Sequence, residues 1–149
     1  MKSTICKIAI SVILSCFILF PLSAKQLFVS PEGDDSADGS SSGNAFKTLS
    51  KAVDAAEEGD EIVLLGIIDI SQEPADKIYN SDAYNKNNQG VKILDKGLTI
   101  SGDPNQTRTK TGFTGNKTTT CLRLDGLNKK VTIRNLTIKE GNPTSDKGA

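Results

Sequence analysis

The sequence predicts an all-β solenoid, a stack of short strands closed at its front by one helix. Three observations predict it. The stretch 48–65, TLSKAVDAAEEGDEIVLL, carries a helical pattern that stops at Gly59-Asp60 and gives way to an apolar run. After it, brief apolar runs alternate with clusters of Gly, Asn and Asp. An apolar-Thr-Ile triplet recurs as Leu98-Thr99-Ile100, Val131-Thr132-Ile133 and Leu136-Thr137-Ile138. Coils of this kind cannot bury their apolar side alone and need a neighbour above or below.

The helix is expected over 48–58. Phe46, Leu49, Val53 and Ala56 recur at three- and four-residue intervals and share one face. Thr48 suits the N-cap, and Ala52, Ala55 and Ala56 favour helix. Gly59 suits the left-handed position just past a helix end. Ile62-Val63-Leu64-Leu65 is too short for a second helix and reads as a strand covered on both faces. The expected structural cap is therefore Phe46, Thr48, Leu49, Val53, Ala56, Gly59 and Asp60, lying over a stack that 61–65 begins.

Ahead of the helix, 26–30 (QLFVS) reads as a strand and 31–44 (PEGDDSADGSSSGN) as loop. Strands are expected at 67–70, 91–94, 98–101, 121–124, 130–133 and 136–139. Two polar excursions, 71–90 and 103–120, separate them. Tyr79 and Tyr84 in the first excursion are expected to pin that loop to the body. The Leu-Thr-Ile triplets at 98–100 and 136–138, each following a turn former in a segment that ends in Gly, read as a weak internal repeat.

At 149 residues the chain holds at most one domain, with 18 basic and 18 acidic side chains. That balance gives no charge excess to draw in nucleic acid or an anionic membrane. Residues 1–24 read as a secretory signal peptide: Lys2 and Lys7 precede the apolar run 8–20, and Pro21-Leu22-Ser23-Ala24 offers a small residue for cleavage. The mature protein is thus expected to be exported, whether secreted, periplasmic or on the outer surface. A second reading takes Ile13-Leu14-Ser15-Cys16 as a lipobox, with a lipid anchor on Cys16; the apolar run continuing past the cysteine speaks against it. Residues 25–66 then hold the first strand, loop, helix and first coil strand, 67–141 the coils, and 142–149 a polar tail.

The chain has no His, which excludes a His-based triad or metal cluster. With the leader gone Cys121 stands alone, so no intrachain disulfide can form. Asp34, Ser36, Asp38 and Gly39 mimic the start of a calcium loop. The twelfth position is Ala45 instead of a bidentate Glu, which leaves Asp34 and Asp38 as weak metal candidates only. No other cofactor is expected.

Phe46-Lys47-Thr48-Leu49, Lys51-Ala52-Val53-Asp54-Ala55-Ala56 and Gly59-Asp60-Glu61-Ile62, with Val29-Ser30-Pro31-Glu32-Gly33 before them, resemble the N-terminal cap of right-handed parallel β-helix proteins of the pectate-lyase-like class. The resemblance covers most of 27–141 and is similar also to bacterial surface adhesin passengers. It implies a right-handed parallel β-helix with an N-terminal capping helix. Two functions follow: a non-catalytic secreted or surface module, the N-terminal part of a longer solenoid, or the leading part of a carbohydrate-active enzyme such as a polysaccharide lyase. For the second, the resemblance implies carboxylates holding calcium and an Arg or Lys acting as base. Arg123 and Arg134 lie in strand-like runs and Asp95 and Asp125 are the carboxylates nearest in sequence, but no register joins them and no catalytic residue is assigned. Expected partners are a surface carbohydrate or a host protein, with end-to-end self-association through the uncapped last coil.

Overall fold

The computed structural model describes residues 24–74, 76–77, 90–125 and 128–141. The leader with Cys16, the tyrosines Tyr79 and Tyr84, and the tail 142–149 lie outside the described residues. Among them run nine short strands and one α-helix, in the order β1 (Gln26–Val29), α1 (Leu49–Ala55), β2 (Glu61–Leu64), β3 (Ile67–Asp69), β4 (Val91–Leu94), β5 (Leu98–Gly102), β6 (Gly112–Thr114), β7 (Leu122–Asp125), β8 (Val131–Arg134) and β9 (Thr137–Lys139). No helix among the described residues is long and apolar enough to cross a membrane.

All the strand pairs are parallel. They form three sheets, β1-β2-β5-β8, β3-β6-β9 and β4-β7. From β2 onward each strand pairs with the strand three places later. The alternation of side chains then aligns like residues in ladders. Leu27, Ile62, Ile100 and Ile133 face one another across the first sheet. Ile68, Phe113 and Ile138 do so across the second, and Ile93 and Leu124 across the third. The early rungs, with Phe46, Leu49 and Ile70, form one continuous core.

The stack begins one strand earlier than 61–65, because β1 lies beside β2 at the head of the first sheet. The free edge of β1 is closed by the loop that follows it. Phe28 N–H donates to Gly39 O at 2.8 Å, Phe46 N–H to Phe28 O at 2.9 Å, and Ser30 N–H to Phe46 O at 2.9 Å. A strand edge whose hydrogen-bonding groups are occupied in this way offers no template to another chain.

Helix α1 starts where its sequence signal lies. Thr48 is extended, and its hydroxyl accepts from Lys51 N–H. Phe46, Leu49, Val53 and Ala56 are all buried, and the helix packs against β1 and β4. Its end differs from expectation: α1 stops at Ala55, with Ala56 already extended. At this end Lys96 Nζ donates to Val53 O and Ala56 O at 2.7 Å each, satisfying carbonyls that a helix end leaves bare. Gly59 does adopt φ +89°, but in the turn beyond the helix, where its N–H donates to Gly97 O.

Two further expectations are corrected. Residues 103–120 are not wholly an excursion: Gly112-Phe113-Thr114 forms β6, at the centre of the second sheet, with Phe113 fully buried. The two Leu-Thr-Ile triplets are not equivalent either. Leu98-Thr99-Ile100 stacks on Val131-Thr132-Ile133 in the first sheet, whereas Thr137 and Ile138 belong to the second.

The start of α1 is held by two carboxylates from distant segments. Asp35 accepts from Lys47 N–H, Thr48 N–H and the Thr48 hydroxyl. Glu73 accepts from Leu49 N–H at 2.6 Å, Ser50 N–H at 3.1 Å and the Ser50 hydroxyl. Burial pushes the Glu73 pKa up. The Ser50 hydroxyl and the two amides oppose this without cancelling it, and the Asp35 charge adds to it. The folded chain thus holds the Glu73 proton more tightly than the unfolded chain. The stability this supplies is fully present below the ordinary glutamate value of 4.5 and is lost as pH rises through the higher folded value. Urea melts across that window should show wild-type stability declining toward neutral pH and Glu73→Gln flattening the decline. Parallel slopes for the two proteins would contradict this.

Candidate functional site

An open groove of about 930 Å³ lies on the outer face of the first sheet, between the start of β1 and the loop that closes its edge. Gln26, Phe28 and Glu61 line its floor, with Asp38, Ser40, Ser41 and Ser42 on the loop side. Strand alternation puts Gln26, Glu61, Thr99 and Thr132 in one outward row and Phe28, Val63, Ser101 and Arg134 in the next.

Glu61 ties four strands together. Its Oε1 accepts from Ser101 Oγ at 2.7 Å and from Arg134 Nη2 at 2.6 Å, and its Oε2 accepts from Gln26 Nε2 at 3.1 Å. Burial alone would raise its pKa. The hydrogen bonds from Ser101, Gln26 and Arg134, with the Arg134 charge, outweigh burial and hold it below the usual glutamate value. Three donors and a lowered pKa leave it unsuited to taking a proton from a substrate, because a general base needs a pKa near the working pH.

The structure brings the expected site residues together only in part. Arg134 meets a carboxylate, Glu61, two strands away in the sheet. Arg123 stands opposite Lys92 in the register of β4 and β7, and Asp95 occupies a corner at φ +40°. Asp34 and Asp38 each close their own turn. Asp34 Oδ1 accepts from Ser36 N–H, and Asp38 Oδ1 from Ser40 N–H and its hydroxyl. These bonds, the backbone ones first, lower both pKa values. Among the described residues no group of three or more His, Cys, Asp or Glu side chains is placed to hold a metal ion. Cys121 is buried, and burial pushes its thiol pKa up, the setting of an unreactive cysteine.

Of the expected cap, Thr48 and Asp60 do more than cover a face. The Thr48 hydroxyl donates to Asp35 Oδ2 as well as capping α1. Asp60 is buried and binds two segments, its Oδ1 accepting from Lys25 N–H at 2.9 Å and its Oδ2 from Glu57 N–H at 2.7 Å. Sequence reasoning missed Glu61, Glu73 and Lys96, whose partners lie at least 23 residues away. Only Glu61 had a local signal, a charged residue opening an otherwise apolar run.

No family model matches the chain, and neither a curated protein nor a solved structure matches it. The resemblance to the pectate-lyase-like β-helix class, and to adhesin passengers, is corrected on that finding. Its motifs encode a capped helix, a turn and a strand start, which are local features that a chain can carry without membership of the family.

Proposed function

We propose that this chain is an exported, non-catalytic scaffold module. In this reading its three parallel sheets are the faces of one coiled stack, closed at the β1 end and built to receive further strands at the other. One observation supports the reading above the rest. The exposed large hydrophobics among the described residues are Ile133, Ile138 and Leu124, at 38%, 53% and 39% exposure. Among the described residues each is the last rung of its ladder, one per sheet. Their inner neighbours Ile100, Phe113 and Ile93 are fully buried. An apolar ladder whose final rung faces water in all three sheets at once is an unfinished core. A parallel strand laid on each edge would continue the hydrogen-bond pattern and cover it.

Each rung left half exposed forgoes on the order of 1 kcal/mol, and the open edges invite strand addition. The exported protein should therefore self-associate in sedimentation analysis. Ile133→Lys with Ile138→Lys should shift it to monomer without lowering its melting temperature by more than a few degrees. A wild-type monomer with a sharp, high-temperature transition would sink the reading.

A further inference from the structure

We propose that removal of the leader at Ala24–Lys25 creates an ion pair between the new α-ammonium of Lys25 and the buried carboxylate of Asp60, and that this pair fastens the closed end of the stack in the exported form only. The inference rests on the exported reading above.

The geometry is already set. The Lys25 backbone nitrogen lies 2.9 Å from Asp60 Oδ1. In the uncut chain that nitrogen is a neutral amide. Hydrolysis of the Ala24–Lys25 bond adds water across it: the hydroxyl goes to the Ala24 carbonyl carbon, the nitrogen leaves as an amine and takes up a proton near neutral pH. A positive charge then appears at hydrogen-bond distance from a carboxylate whose side chain is only 4% exposed. The bond is charge-assisted in both forms, because a carboxylate accepts it; cleavage adds the attraction of a second full charge across a site that little water reaches.

Asp60 is placed to turn that charge into stability. Its other oxygen holds Glu57 N–H, and its own carbonyl accepts from Thr99 N–H on β5. Lys25 O accepts from Glu61 N–H at the head of β2. The pair thus joins the start of β1, the turn after α1 and the head of β2. The other charged groups facing it are the Lys25 ammonium, 3.7 Å from Asp60 Oδ2, and Glu57, 3.9 Å from that ammonium. Both are surface side chains, exposed enough for solvent to weaken them. Cleavage therefore tightens a junction that the uncut amide already makes.

Two otherwise identical chains test this, one released from a fusion tag to begin at Lys25 and one to begin at Ala24. The second keeps the amide at Lys25 and moves the charge one residue away. An amine that gains a carboxylate partner on folding contributes stability that is fully present below its unfolded pKa, about 7.7–8.0, and lost as pH rises through the folded value. The Lys25 form should melt several degrees higher near neutral pH, and the gap should close as the amine deprotonates. Asp60→Asn should erase the gap at every pH. If Asp60→Asn does not fold, the wild-type pair of chains decides alone. Equal melting of the two chains across the range overturns the proposal. Sequencing of the exported protein from its N-terminus separates the two claims: a start other than Lys25 overturns the leader reading, and the lock with it, whatever the melts show.

Discussion

Gly112→Ala should cost more than about 4 kcal/mol, enough to leave little folded protein at room temperature. Gly112 opens β6 with φ +149°, a backbone geometry that side chains disfavour. A Cβ built there would lie 1.8 Å from Thr137 O and 2.7 Å from Thr137 C. Both obstacles are backbone, so no rotamer change relieves them. Thr137 is itself fixed, its N–H donating to Thr111 O and its hydroxyl to Arg108 O. The chain can accept a methyl group only by prising β9 from β6, which uncovers Phe113. Gly43→Ala, with nothing within 4 Å of the added carbon, is the control and should be neutral. A urea melt compares them, and wild-type stability for Gly112→Ala would show that the second sheet is not stacked this closely.

Val53→Asp tests the other end of the stack and should lower the melting temperature by about 10 °C or more. Val53 is 6% exposed, on the face of α1 that covers the core with Leu49 and Ala52. A carboxylate there loses its water, and an unpaired buried charge costs several kcal/mol. Lys96 lies close by, but its ammonium is already committed to Val53 O and Ala56 O. Lys51→Asp, on the exposed face of the same helix, should change stability by no more than about 0.5 kcal/mol. Equal melting of the two variants would mean that α1 covers nothing.

These substitutions also mark how far the sequence could be read. Val53 was legible because a helix writes its buried face within a few residues, and Thr48 because a cap is a local bond. Gly112 was not. A three-residue strand with one large apolar side chain, set among Thr, Gly and Lys, has too few positions for a period of two to show. The pairing of strands was hidden for a different reason. The longest textual match, Leu-Thr-Ile with Leu-Thr-Ile, joins positions in different sheets, because what stacks is one turn of the chain and not one strand. The carboxylates followed the same rule. Glu73 looks like one polar residue among many in its own neighbourhood, and only its place beside the start of α1, contributed by a segment over 20 residues earlier, gives it a task. The groove was half legible: Arg134 was singled out, while the partner it reaches is fixed by a register that no local pattern carries.

The spacing of the pairs has a consequence for the order of events in time. Each strand of the first sheet finds its neighbour some 35 residues along the chain, from Gln26 to Glu61, then to Thr99 and to Thr132. A polypeptide synthesised from its N-terminus presents those partners one at a time. β1 can dock as soon as β2 emerges, with its other edge already occupied by the loop, and every later strand arrives to find a finished surface waiting. Delivery sequence and stacking sequence are then the same, so each segment meets its correct partner before any competing one has appeared. The slow search expected of distant strand pairing becomes a series of short ones, timed by the rate at which the chain is synthesised.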